Sequence, residues 1–153
     1  MRVEPVDLRQ ASDAQYAALN AFMNEIRAER LPDDPPMPLE EEVQRWRTVP
    51  SFMDLLLWTA SGDAGIEGYG SATVSRTSDN PHLIDFNIAV RKSRRRHGVG
   101  TVLLQRIAGA TAREGRRVLI TSTQSTVPDG DAFLRRIGAQ VGLESHTNQL
   151  DLR

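Results

Sequence analysis

Residues 83–101 read L-I-D-F-N-I-A-V-R-K-S-R-R-R-H-G-V-G-T, and their reading decides the fold. Ile84, Phe86, Ile88 and Val90 alternate with Asp85 and Asn87, the period-two pattern of a strand with one apolar face. From Val99 the pattern changes: Val99, Val102, Leu103, Ile107 and Ala110 recur at helical spacing up to Gly115, an apolar stripe that docks on a sheet. Between strand and helix lies a basic turn punctuated by Gly98 and Gly100. A helix N-terminus presents backbone N–H groups without intrahelical partners and carries partial positive charge. Glycines there let a ligand approach the backbone, and Arg94, Arg95 and Arg96 add charge. The combination describes an anion site, with phosphate the natural occupant. A dinucleotide turn would need a third glycine where Leu103 stands and an acidic residue after Val118–Ile120. A P-loop would need Gly-Lys-Ser/Thr. Neither pattern is present. A solvated basic loop is the plain alternative.

Composition sets the frame. With 153 residues, 39% hydrophobic and 25% charged, the chain suits a single domain with a real core. It has no cysteine, which excludes disulfides, thiolate metal sites and a cysteine nucleophile. The N-terminus carries no apolar signal core, and no apolar run is long enough to span a bilayer, so a cytoplasmic protein is expected. The net charge of −1 hides a split: residues 1–90 hold 7 basic and 15 acidic side chains, net −8, and residues 91–153 hold 12 and 5, net +7. Such asymmetry fits a cationic substrate on the first half and an anionic cofactor on the second.

Outward from the central stretch, Val3–Leu8 predicts a first strand. Ser12 or Asp13 caps a helix running to Arg30, with Leu19, Phe22, Met23 and Ile26 on its buried face. The proline-rich segment Leu31–Pro38 forces a loop. Glu40, Glu41 and Glu42 open a second helix to Thr48. Phe52–Ala60, Ile66–Ser75 and Leu83–Val90 predict a three-strand meander with turns at Ser61–Gly65 and Thr77–Pro81. Val118–Ser122 predicts a short strand, Pro128–Ile137 a helix, and Val141–Leu143 and Asn148–Leu152 two closing strands.

This order, β-α-α-β-β-β-α-β-α-β-β, predicts a mixed α/β fold. Arg95-Arg96-His97-Gly98-Val99-Gly100 resembles the Arg/Gln-x-x-Gly-x-Gly/Ala motif of the GCN5-related N-acetyltransferases (GNAT), and Ala132–Ala139 is similar to that family's late helix. The resemblance covers nearly the whole chain. It implies a GNAT-like central sheet of about seven strands with flanking helices, formed by residues 1–153 as one domain, alone or as half of a tandem protein. It implies an N-acetyltransferase using acetyl-CoA as cosubstrate, without a metal, by direct attack of a primary amine in a ternary complex. The cofactor would be held by Arg95, Arg96, His97, Gly98, Val99, Gly100 and Thr101, with backbone groups of Ile88 and Val90 pairing its pantetheine arm. Arg91 and Arg94 would stand near the phosphates, and Arg135 or Arg136 would reach the 3′-phosphate.

The catalytic side chains are less marked. Asp85 and Glu67 are candidates for the base, Ser122, Thr123 and Tyr69 for a hydrogen-bond donor. Leu134 stands where many relatives carry a tyrosine acid, Lys92 where a turn proline is usual, and Ala139 where a phenylalanine is usual. The acceptor, a small-molecule or peptide amine, is expected between the Leu31–Pro38 loop, the second helix and the strand of Glu67 and Tyr69. There Glu29, Asp33, Asp34, Glu40, Glu41 and Glu42 outnumber Arg27, Arg30, Arg45 and Arg47 and would attract a cation. Two other classes stand beside this reading: a non-catalytic acetyl-CoA-binding module of a tandem acetyltransferase, and a nucleic-acid-binding domain using Arg91–His97. The second is disfavoured by the lack of stacking aromatics and of overall basic charge, so neither nucleic acid nor membrane is an expected partner. Monomer and homodimer are both open.

Overall fold

The computed structural model describes residues 1–146. They fall into two compact units, Met1–Ser122 and the part of Thr123–Arg153 that is described.

In the first unit, strands β1 (Arg2–Pro5), β2 (Met53–Gly62), β3 (Gly65–Ser75), β4 (Leu83–Val90) and β5 (Val118–Ile120) form one sheet in sequence order. Neighbours are antiparallel except β4 and β5, which are parallel. That pair is joined by helix α3 (Val99–Arg113), the crossover a parallel connection requires. Helices α1 (Asp13–Arg30) and α2 (Leu39–Arg47) lie between β1 and β2 in sequence.

Local chemistry sets the helix ends. Ser12 Oγ accepts from Gln15 N–H at 3.1 Å while Gln15 Oε1 accepts from Ser12 N–H at 2.9 Å, a capping box. The segment between α1 and α2 is tied down by side chains: Asn24 exchanges two hydrogen bonds with the Met37 backbone at 2.7 and 3.0 Å, Asn20 donates to Met37 O, and Arg27 Nε donates to Pro35 O. The proline loop is a pinned strap.

The register divides the sheet into two faces. On one, Gly68, Gly70, Ala72 and Phe86 meet Val99, Leu103 and Ile107 of α3; a Cβ on Gly70 would lie 3.2 Å from Leu103 Cβ. Small residues on β3 thus set how closely α3 packs. On the other, Leu57 and Tyr69 join Tyr16, Leu19, Phe22, Ile26 and Trp46 in a core under α1 and α2, with Phe22 edge-on to Tyr69 at 6.1 Å.

In the second unit α4 (Pro128–Arg136) begins with proline in its first turn and ends near Gly138, at φ +81°. Arg135 is bonded to Asp131 at 2.7 Å and Arg136 lies over Phe133.

Five strands are present among the described residues, not about seven. The expected strand Val141–Leu143 is irregular: Val141 is 71% and Leu143 87% exposed. A three-residue apolar run interrupted by Gly142 has little to pack and no ladder to join. The other expected strand, Asn148–Leu152, lies outside the described residues. Two further boundaries contract: β5 stops at Ile120, and β1 stops at Pro5, after which the chain leaves the sheet and buries Leu8 in the core.

Candidate functional site

β4 organises the site. It pairs with β5 only through Leu83–Val118, Ile84–Leu119 and Asp85–Ile120. Beyond Asp85 the edge of β4, including Ile88 and Val90, has no strand partner on that side among the described residues. An open edge offers backbone donors and acceptors to an extended ligand.

The chain leaves β4 through a 3-10 turn at Lys92–Arg94. Arg96, at φ +65°, and Gly98, at φ +85°, then reverse its direction into α3. No side chain caps α3, and its first intrahelical acceptance is Val102 N–H to Gly98 O at 3.1 Å. The N–H groups of Val99, Gly100 and Thr101 therefore have no intrahelical partner. Nothing lies within 4 Å of a Cβ built on Gly98, so the approach is open. The residues present fit a pyrophosphate.

Most arginines of this turn face inward. Arg95 donates from Nη1 to Glu29 Oε1 at 2.7 Å, from Nη2 to Glu29 Oε2, and from Nε to Val90 O at 3.0 Å. Arg91 Nε lies 3.1 Å from Glu25 Oε1 and its guanidinium sits over Phe22. Arg94 Nε lies 3.0 Å from Glu67 Oε1. Three cations of the basic run thus meet three carboxylates, two of them one turn apart on α1. Lys92, Arg96 and His97 remain exposed, with His97 Nδ1 2.7 Å from Arg95 O.

Glu67 owes its position to a bulge. Ala60 pairs with Gly68 and Ser61 with Ile66, so Glu67 is the extra residue of β3. It is 5% exposed, and its Oε2 has no hydrogen-bond partner. A Cβ on Gly62 would strike the Glu67 carboxylate, so a larger residue there would displace that side chain.

Asp85 stands in different surroundings. It is exposed at the last β4–β5 pair, and its side chain makes no hydrogen bond or ion pair among the described residues. Partial burial by neighbours nevertheless pushes its carboxyl above the usual range. It shares a face with Asn87 and, across the ladder, with Thr73 and Ser71. Sequence reading placed Asn87 beside Asp85 but not Thr73 and Ser71, which only register reveals. Glu25 and Glu29 were also missed as partners of the turn; their i, i+4 spacing on α1 was the available signal.

The other candidates are dispersed. Tyr69 is buried under α1, where desolvation raises its hydroxyl pKa. Ser122 is exposed in irregular chain two residues past β5. Thr123 falls in the second unit, as do Arg135 and Arg136. Of the acidic segment, Asp33, Asp34, Glu40 and Glu41 are exposed. Glu42 alone is buried, and burial raises its pKa against the pull of Arg45 and Arg27. Among the described residues no helix is long and apolar enough to cross a membrane.

Comparison with known proteins agrees with this geometry. The model of the acetyltransferase (GNAT) family matches residues 19–139. No curated protein matches the chain. Solved structures do, in fold. Protein smu.2055 of Streptococcus mutans superposes with a TM-score of 0.72 at 19% identity, covering 94% of this chain and 85% of its own. The aminoglycoside acetyltransferase meta-AAC0020 from an uncultured soil metagenomic sample, in complex with sisomicin, gives 0.65 at 13% identity over 99% and 96%. The aminoglycoside N-acetyltransferase AAC(6')-Iy, in complex with CoA, gives 0.66 at 14% over 99% and 96%.

Proposed function

The chain belongs to the GNAT acetyltransferase family, and on that premise we propose that it transfers the acetyl group of acetyl-CoA to a primary amine by direct attack in a ternary complex. One observation carries the reading: the open edge of β4 runs between an unpartnered carboxylate, Asp85, and an uncapped helix N-terminus at Gly98. Those are the two ends of the required chemistry, one for a proton and one for phosphates.

On this reading the N–H groups of Val99, Gly100 and Thr101 hold the pyrophosphate. Arg96 and Lys92 supply its mobile positive charge, and backbone groups at Ile88 and Val90 pair with the pantetheine arm. Arg95, committed to Glu29 and Val90 O, shapes the turn instead of reaching for phosphate. Acetyl-CoA supplies the activated acyl group.

An ammonium must lose a proton before it can attack. Asp85 takes it, directly or through one water, and its raised pKa brings it nearer the range in which a base works at neutral pH. The amine nitrogen forms a bond to the thioester carbon, the carbon–sulfur bond breaks, and the thiolate takes up a proton from water or a hydroxyl. Glu67 is held by Arg94 and serves the turn instead of the amine.

Thiol release from acetyl-CoA, measured against a panel of primary amines, tests the proposal. Amine-dependent release that disappears in Asp85→Asn is the expected result. A folded protein that binds acetyl-CoA and releases no thiol with any amine would leave only the cofactor-binding half.

A further inference from the structure

A groove of about 340 Å³ runs along the edge of β2 far from the glycine turn, lined by Pro5, Leu8, Trp46, Leu55, Leu57 and Trp58 among others. It exists because β1 pairs only with Trp58–Ser61 and then departs, leaving the Met53–Leu56 half of β2 without a strand on that side among the described residues. Its volume is at the lower end of small-molecule sites.

We propose that this groove is the acceptor's tail subsite, and that the acceptor is an amphiphilic primary amine whose nitrogen lies at Asp85 and whose alkyl or aryl tail lies against Trp46, Leu55 and Leu57. The proposal rests on the acetyl-transfer reading above. Ladder register connects the two places. Leu55 pairs with Thr73 and Thr73 with Asp85; Leu57 pairs with Ser71 and Ser71 with Asn87. Directly opposed residues point to the same side of a sheet, so the groove's Leu55 and Leu57 and the carboxylate share one face. Two strand spacings separate them, about 10 Å. The rows between are half-buried Thr73 and Ser71, a floor that α1 and α2 do not fully cover.

Charge decides the polarity of the ligand. Every charged group at the groove is already engaged: Asp54 accepts from Arg76 Nε at 2.7 Å, Asp7 accepts from Arg9 N–H at 3.0 Å, and Arg9 donates to Val49 O at 3.0 Å. The Asp85 carboxylate, at the other end, has no partner among the described residues. An uncharged tail with one ammonium matches this arrangement. A polycation such as an aminoglycoside does not, because its further charges would meet Trp46, Leu55 and Leu57.

The test uses the intact chain and needs no variant to begin. The only two tryptophans of the protein line the groove, so their fluorescence reports occupancy independently of catalysis. Thiol release is measured with n-butylamine, n-hexylamine, n-octylamine and n-decylamine. kcat/KM should rise by up to about fourfold per methylene once the tail enters the groove, then level off, with the change in KM and not in kcat. n-Octylamine and n-octanol should both shift the tryptophan emission. Leu55→Asp should flatten the chain-length series. Equal kcat/KM for butylamine and decylamine, with unchanged emission, would overturn the subsite while leaving acetyl transfer intact. An emission shift with no thiol release from any amine would overturn the acceptor role and the acetyl-transfer reading together. A concentration-dependent dimer, seen in sedimentation, that abolishes the octanol shift would assign the groove to a second copy and overturn the proposal.

Discussion

At the C-terminal end of β4, Arg91, Arg94 and Arg95 each face a glutamate, and two of those glutamates sit on a helix more than sixty residues away in sequence. At the N-terminal end, Asp85, Asn87, Thr73 and Ser71 share a face, and the Asp85 carboxylate has no partner among the described residues. One end is built from paired charges, and the other carries a carboxylate with no ion pair among the described residues. The difference follows from what each end must do. A phosphate site made of backbone N–H groups works only if the turn holds its shape, so its side chains are spent on holding it. A base works only if its lone pairs are free when the substrate arrives, so the fold leaves them exposed.

The largest expected effect comes from filling the locked end. Gly98→Glu places a side chain at φ +85° and a negative charge at the α3 N-terminus. Calorimetry should find acetyl-CoA binding abolished, with circular dichroism unchanged. Retained affinity would move the phosphate site elsewhere.

Next is the free end. Asp85→Asn should lower kcat by about 10²–10⁴-fold with acetyl-CoA affinity unchanged. The linkage has a definite sign. Because the folded pKa of Asp85 is raised, its contribution to stability is fully present below the unfolded pKa and is lost as pH rises through the folded one. Asp85→Asn should therefore not lower Tm at neutral pH, and any gain in Tm should vanish in acid. In the unmodified protein kcat/KM should climb with pH as Asp85 ionises. A variant that loses Tm at neutral pH along with its activity would make Asp85 a structural residue.

Glu29→Gln probes the lock itself. It removes the carboxylate from the partly buried Arg95 guanidinium, and a stability loss of about 2 kcal/mol is expected, below the usual cost for a fully buried pair. Denaturant midpoints check this, and acetyl-CoA affinity should fall several-fold in parallel. A stability loss without an affinity loss would uncouple α1 from the turn.

The smallest effect is expected from the acidic strap. Asp33 and Asp34 are exposed, and Asp34 already faces Arg27 at 3.3 Å. Exposed charges are screened over about 10 Å at ordinary salt. Asp33→Asn/Asp34→Asn should change kcat/KM for an amine by less than about twofold at physiological ionic strength. A tenfold fall would restore the acidic segment as a steering surface.

Much of this was legible in the sequence where the signal is local. Alternation in 83–90, the change of period at Val99, the prolines and the capping serine place their elements to within a residue or two. The strand count was not legible, because Val141–Leu143 is apolar enough to suggest a strand but has no ladder to join among the described residues. Nor were the arginines' partners. A basic run looks alike whether it faces solvent or carboxylates, and Glu29 lies 66 residues from Arg95. The direction of the acidic side chains was not legible for a related reason: of the glutamates on α2 only Glu42 turns inward, and composition does not record direction.

The bulge at Glu67 has a consequence for how chain length can vary. Removing that single residue would bring Ile66 next to Gly68, and the ladder Ser61–Ile66, Ala60–Gly68 would then run without interruption. Every side chain from Gly68 onward would keep its face. The sheet would lose one backbone hydrogen bond, from Arg91 N–H to Glu67 O at 2.8 Å, while Arg94 would lose its carboxylate and Gly62 the side chain it faces. A one-residue deletion is thus the edit that separates two inheritances in this strand, the part that belongs to the sheet and the part that belongs to the turn.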